Sequence, residues 1–207
     1  MHMTDAHRDR LKDLLTWRRD IRHFRTDPLP EGTLDRLREA MDSAPSVGNA
    51  RPWRVLRVLD PVLRTRVREN FALQNAAAAK GYAAEDRAAY EKLKLAGLNE
   101  APEHLAIFTE TAPAEGRGLG RQTMPQTLEQ STAMAIHALW LMARACNIGV
   151  GMVSIVDPDG IERLFESPKT WRFTAYLCIG RPGFDDDTPL LHRTGWQENT
   201  ATLWQNR

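Results

Sequence analysis

Cysteine is scarce in this chain: Cys146 and Cys178 are the only two among 207 residues, both inside apolar runs and unrelated by any metal-ligand spacing. A disulfide framework and a Cys-x-x-Cys zinc site are thereby excluded, and two buried thiols in a reducing, cytoplasmic setting are expected. Charge of one sign is also missing, since 28 Lys and Arg against 27 Asp and Glu leave a net charge of +1. A nucleic-acid footprint or attraction to an anionic membrane would need a basic excess, so neither partner is expected. No apolar run reaches the ~18 residues of a membrane helix, and the N-terminus lacks the charged, apolar and small-residue zones of a signal peptide. His7, His23, His104, His137 and His192 show no ligand spacing and no Ser-His-Asp context, so no metal site and no hydrolytic triad are expected. Repeats, low-complexity tracts and linkers are absent too. With 42% apolar residues the chain reads as a single domain over 1–207 with a real core.

The hydrophobic pattern predicts roughly six helices and four strands, hence an α/β or α+β layered fold. Arg8–Trp17 carries Leu11, Leu14, Leu15 and Trp17 at helical spacing, and Asp27-Pro28-Leu29-Pro30 then makes a rigid connector. Thr33 is a candidate N-cap for a second helix that Pro45 terminates. Trp53–Leu59 reads as a strand, and Asp60-Pro61 as an N-cap with proline at the first helical position. The helix that follows is expected to dissolve near Ala76–Gly81, with another over Glu85–Leu98. His104–Thr109 is a short buried strand, and 111–125 a long loop of glycines and prolines of the kind that often carries function. Gln126–Cys146 is apolar on nearly all faces, which predicts burial or a subunit interface, with Asn147 and Gly149 as its C-cap pair. Gly151–Val156 and Phe173–Ile179 complete the strands, with a short helix from Asp157-Pro158 to Phe165 between them and an irregular acidic tail after them.

Several motifs admit both a structural and a functional reading. Arg18, Arg19 and Arg22 are either a solvated basic face paired with neighbours such as Asp13 or a bidentate phosphate clamp. Asp20, in their midst, either limits their mutual repulsion or holds a carboxylate at a reacting ring, where it accepts a proton. The small residues of Ala44-Pro45-Ser46-Val47-Gly48-Asn49-Ala50-Arg51-Pro52-Trp53 form either an ordinary loop or one that lets backbone approach a flat ligand, with Ser46 and Asn49 adding polar contacts. Gly149-Val150-Gly151-Met152-Val153-Ser154 follows a helix and lacks G-x-G-x-x-G, so it is not a dinucleotide fingerprint. It is either a C-cap leading into a core strand or a ligand-facing strand. In both cases the Ser154 hydroxyl needs a partner if the strand is buried.

Taken together and in order, these segments resemble the BluB family of nitroreductase-like flavoproteins, the 5,6-dimethylbenzimidazole synthases. Arg18-Arg19-Asp20-Ile21-Arg22 looks like the family's flavin-phosphate segment, and Pro45-Ser46-Val47-Gly48 with Pro52-Trp53 like its flavin loop. Lys92–Gly97 resembles the end of its lid, Leu119-Gly120-Arg121 with Met124-Pro125-Gln126 the loop before its central helix, and Gly149–Ser154 the strand with its active serine. The match covers most of 14–180. Arg51, where many relatives carry an amide, Gly81 and Tyr82 in the lid, and the short acidic tail depart from the pattern.

The resemblance implies a nitroreductase-like fold with a mostly antiparallel central sheet flanked by helices, in an intertwined homodimer that binds FMN between its chains. It implies Asp20 and Ser154 as the catalytic pair. It implies flavin contacts from Arg18, Arg19, Ile21, Arg22, Pro45, Ser46, Gly48, Asn49, Tyr82, Lys94, Arg121 and Val153. The implied reaction consumes reduced FMN as substrate and oxygen as co-substrate, and yields 5,6-dimethylbenzimidazole and erythrose 4-phosphate. Reduced FMN would come from a separate flavin reductase. Two other readings use the same residues: an NAD(P)H-dependent nitro- or quinone reductase, and a non-catalytic flavin-binding protein.

Overall fold

The computed structural model describes the whole chain, Met1–Arg207. Its elements run α1 Asp5–Trp17, α2 Thr33–Asp42, β1 Trp53–Arg57, α3 Pro61–Lys80, α4 Ala84–Glu91, β2 Glu103–Glu110, α5 Thr127–Ala145, β3 Gly149–Val153, α6 Pro158–Leu164, β4 Trp171–Gly180 and α7 Leu190–Arg193. The four strands form one sheet in the order β1-β2-β4-β3, antiparallel at every pairing. No helix is long and apolar enough to cross a membrane.

The period of two along a strand divides the core into two clusters, one on each face of the sheet. Leu105 and Ile107 of β2 and Ala175, Leu177 and Ile179 of β4 pack with Leu37 and Met41 of α2 and with Ala135, Ile136 and Leu139 of α5. The intervening Ala106, Phe108, Tyr176 and Cys178 point the other way, onto Val67 of α3 and Ile161 of α6. Both faces are covered, which is why β2 and β4 read in the sequence as unbroken apolar runs and not as alternating ones. The register of β2 against β4 slips between Ile107 and Phe108, leaving Thr174 as the extra residue of a bulge. Its hydroxyl joins that of Thr109 at 2.7 Å, and Thr109 in turn donates to Thr132 of α5 at 2.8 Å.

Several boundaries differ from expectation for local reasons. Gly32, at φ +70°, caps α2, and Thr33 is its first helical residue. α3 continues to Lys80 because alanines are strong helix formers, and because Arg87 donates to the last carbonyls at Ala79 and Lys80. α4 stops at Glu91 instead of running to Leu98. Asn147, at φ +56°, makes the left-handed turn after α5, while Gly149 belongs to β3. Asp60 caps α3 as expected, accepting from the Val62 amide at 2.7 Å.

α5 buries Leu128, Ser131, Thr132, Ala135, Ile136, Leu139, Trp140 and Ala143 within its own chain. Met134 remains 42% exposed. α1 buries no residue at all, and Leu11, Leu15 and Trp17 stay open along it.

A buried histidine ties β2 to β4. The His104 Nε2–H donates to the Ala101 carbonyl at 3.1 Å, and Nδ1 therefore accepts the Tyr176 hydroxyl at 3.0 Å. Burial, reinforced by the Arg64 charge, holds the imidazole near pKa 4. The unfolded chain takes up a proton near 6.5 and the fold does not, so stability is complete above that pH and falls as pH drops toward 4. The loss approaches about 3 kcal/mol. The urea midpoint is expected to fall between pH 7 and 4.5, and His104→Gln to flatten that fall. Equal pH dependence in the two proteins would contradict the assignment.

Candidate active site

α1 ends at Trp17, and Arg18 turns the chain into an extended conformation. The next residues run alongside β3: Asp20 bridges Val150 in parallel, and the Ile21 amide donates to the Val150 carbonyl at 3.0 Å. This approach is so close that only glycine fits beneath it. A Cβ at Gly149 would lie 2.8 Å from Ile21 Cγ1, and one at Gly151 would lie 2.1 Å from the Ile21 carbonyl oxygen. The Gly-x-Gly of the sequence thus serves backbone packing against the Arg-Arg-Asp segment.

That contact fixes Asp20. Its Oδ1 accepts the Met152 amide at 2.9 Å, and its Oδ2 pairs with Arg22, whose Nη1 donates to the Met152 carbonyl at 3.0 Å. Burial raises the Asp20 pKa above the ordinary carboxylate value, against the opposing pull of Arg22, the Met152 amide and Arg18. The carboxylate is still 38% exposed, so it is fixed yet reachable. Beside it, the Arg18 guanidinium stacks 5.0 Å from the Trp140 ring, and Trp140 Nε1 donates to the Arg19 carbonyl at 3.2 Å. Arg19 reaches back to the Leu15 and Thr16 carbonyls at the end of α1. Burial and then repulsion from Arg18 lower the Arg19 pKa, partly offset by Asp187.

Two donors remain unmatched, since Nε of Arg18 and Nε of Arg19 are buried without partners. Crowded cations with unspent N–H groups are favourable only if an anion completes them. They line a cleft of about 230 Å³ with Asp20, Arg22, Lys94, Leu95 and Pro189–Leu191. Lys94 is ion-paired to Glu100 on its rim. Pro189–Leu191 lies outside the residues expected from the sequence. The signal was present: a proline before Leu190-Leu191 and a glycine five residues after Leu190 bracket the short helix α7.

The second group of expected residues lies elsewhere. Pro45 is exposed, and Val47–Asn49 forms a tight turn with Gly48 at φ +56°. Ser46 Oγ accepts the Arg51 amide at 3.0 Å, and the Val47 amide donates to Ser131 Oγ at 3.0 Å. A Cβ at Gly48 would lie 2.9 Å from the Gly116 carbonyl, so this turn rests directly on the 115–120 loop. Gly48 and Asn49 face a cleft of about 670 Å³ shared with Gly116–Gly120. Arg121 follows that loop and buries an Nη1 without a partner.

One chain does not bring the two groups together. Val47 hangs from Ser131 and Arg19 from Trp140, both on α5. Nine residues of helix separate the two anchors by about 13 Å along the axis and by roughly half a turn around it. Of the remaining expected residues, Ile21 lies against Gly149 and Gly151, and Val153 is buried in the core. Ser154 is exposed one residue past the end of β3, two residues beyond the amide that holds Asp20, so its hydroxyl faces solvent and not an apolar interior. Tyr82 does not line the Asp20 cleft; it packs on Tyr90 and Trp196, with ring centroids 5.0 and 5.5 Å away.

The Nitroreductase family model matches residues 15–181, and the chain belongs to that family. Within it, the chain is 59% identical, over the full length of both proteins, to a 5,6-dimethylbenzimidazole synthase of Rhodobacter capsulatus. It is 50% identical to one of Rhodospirillum rubrum, across 92% of this chain and 90% of that protein. Among solved structures, iodotyrosine deiodinase bound to FMN and 3-iodo-L-tyrosine superposes with a TM-score of 0.76 at 22% identity, covering 95% of this chain and 99% of the other. A BluB-like flavoprotein from Clostridium difficile 630 superposes at 0.64 and 16% identity, covering 95% and 94%. The expected fold is therefore the observed one.

Gly151→Ala is expected to destabilise the protein by about 1–3 kcal/mol, because the added methyl must push the Ile21 backbone off β3. Unfolding in urea measures this, and an unchanged midpoint would contradict the close approach described above.

Proposed function

We propose that this protein is a 5,6-dimethylbenzimidazole synthase, which uses oxygen to break reduced FMN into 5,6-dimethylbenzimidazole and erythrose 4-phosphate. The observation that carries the reading is the 59% identity over every residue of this chain and of the Rhodobacter capsulatus synthase. The nicotinamide-dependent reductase is the weaker reading, since the Thermus thermophilus relative named NADH dehydrogenase is 29% identical.

The residues fit the ligand. Arg18 and Arg19 bring their guanidinium charge to the cleft wall for a phosphate, their Nε groups having no protein partner, and Arg22 adds charge while steadying Asp20. Arg121 offers a further unmatched donor beside the 45–50 loop. When bound, reduced FMN supplies the electrons and the reactivity toward oxygen. Asp20 is the proton acceptor: its raised pKa and fixed orientation suit it to take a proton at its free edge. Ser154 provides a hydroxyl to the flavin from the end of β3, and Lys94 and Leu95 roof the cleft against water.

The active form in this reading is a homodimer with two shared sites. The 45–50 loop and the Asp20 segment hang from opposite sides of α5, so a second copy is the direct way to bring one against the other. The open apolar residues of α1 and Met134 of α5 give such a partner a surface to cover. Reduced FMN is delivered by a separate flavin reductase.

Asp20→Asn keeps size and shape, so it is expected to bind reduced FMN under nitrogen about as tightly as the wild type. It is expected to return oxidised FMN in air with little or no 5,6-dimethylbenzimidazole. Arg19→Ala is expected to do the reverse of the first part. It should weaken FMN by roughly 1.5–3 kcal/mol, the worth of one hydrogen bond to a charged group, and leave riboflavin much less affected. Chromatography after a single turnover, beside anaerobic titration, tests both. Wild-type product from Asp20→Asn would reduce Asp20 to an ion-pair partner, and equal loss of FMN and riboflavin affinity would remove the arginines from the phosphate.

A further inference from the structure

The Asp20 cleft has two walls from distant parts of the sequence. Lys94 and Leu95 follow α4 and form one, and Pro189, Leu190 and Leu191 form the other. These walls are tied together by a side chain that lies outside the cleft and outside both core clusters.

α7 ends in a double turn that aims this side chain. Gly195 takes the left-handed conformation at φ +73°, its amide donates to the His192 carbonyl at 3.0 Å, and the Trp196 amide donates to the Leu191 carbonyl at 2.9 Å. This is the hydrogen-bond pattern of a Schellman cap, which reverses the chain sharply after a helix. Trp196 is thereby thrown onto α4 and the residues before it. Its ring meets Tyr82 edge-on with centroids 5.5 Å apart, and Tyr90 at 6.2 Å. Tyr82 and Tyr90 stack on each other at 5.0 Å, and the Tyr90 hydroxyl donates to Asn75 of α3 at 2.6 Å. Apart from the tryptophan the two segments fit loosely. A groove of about 590 Å³ separates α4 from Thr194–Trp196.

We infer that Trp196 is a positioning residue that clamps the 82–95 segment to the 189–191 segment and so holds both walls of the Asp20 cleft in register. The clamp accounts for three features at once: the positive φ at Gly195, the stacking of Tyr82 in the turn before α4 on Tyr90 near the end of α4, and the half-burial of a tryptophan in a tail whose neighbours are exposed. Its effect on ligand rests on the reading of the cleft as the flavin site. Its effect on the chain does not.

The test uses the intact protein carrying Trp196→Ala, Trp196→Phe or Tyr82→Ala. Without ligand, trypsin cleavage after Lys80 and Lys92 is expected to be about tenfold faster in Trp196→Ala, the factor produced by losing 1.4 kcal/mol of aromatic contact. Tyr82→Ala should behave similarly and Trp196→Phe should stay near the wild type. Global unfolding should be little changed, because Trp196 lies outside both core clusters. With FMN, release from Trp196→Ala is expected to be about tenfold faster, with Trp196→Phe again restoring the wild-type rate. Unchanged cleavage in Trp196→Ala would overturn the clamp, whatever FMN does. Faster cleavage with unchanged FMN release would overturn its role at the site if Arg19→Ala still weakens FMN. The same result with Arg19→Ala also indifferent would instead remove flavin from this cleft and leave the clamp standing.

Discussion

The contact between the Asp20–Ile21 backbone and β3 is the constraint on which the rest of the site depends. A stretch leaving the first helix runs against the one edge of the sheet where Gly149 and Gly151 leave room for it. That approach aims Asp20 at the Met152 amide, sets Arg22 against its other oxygen, and brings Arg18 over Trp140. Without the two glycines the cluster would be three mobile arginines at a helix end. With them it is a fixed carboxylate among guanidiniums that still have N–H groups to spend.

The second constraint is α5. It carries Ser131, which holds the 45–50 turn, and Trp140, which holds the Arg19 carbonyl, on roughly opposite sides of one rigid rod. A single chain therefore presents the two groups facing apart, and in the proposed homodimer a second copy would bring one against the other. The apolar surface left open along α1 points the same way.

Much of this was legible before the structure. The strands β2 and β4, the Asp60-Pro61 cap and the long α5 followed from periodicity and capping chemistry, because these signals act within a few residues. The arginine cluster and Asp20 stood out for their density of charge. The role of Gly149-x-Gly151 was not legible, since the chain that presses on those glycines lies about 130 residues earlier and a tight approach leaves no local mark. The expected strand Gly151–Val156 overran its end: β3 stops at Val153, and the Ser154 hydroxyl faces solvent. Tyr82 drew attention as an aromatic in a lid, but its ring is engaged by Trp196, a contact between segments more than a hundred residues apart. The α7 wall was hidden because four helical residues give too short a pattern to read.

The central claim is that each site takes its carboxylate from one chain and its 45–50 loop from the other. Subunit complementation tests it most directly. Asp20→Asn and Gly48→Val, each disabling every site of its own homodimer, are co-expressed with different affinity tags and the doubly tagged heterodimer is isolated. Every heterodimer then contains one doubly damaged site and one intact site. The account predicts that it forms 5,6-dimethylbenzimidazole from reduced FMN in air at about half the wild-type rate, as the arithmetic of a twofold-symmetric shared site requires. A heterodimer as inactive as either parent would mean that both groups of residues act within one chain, and would contradict the account.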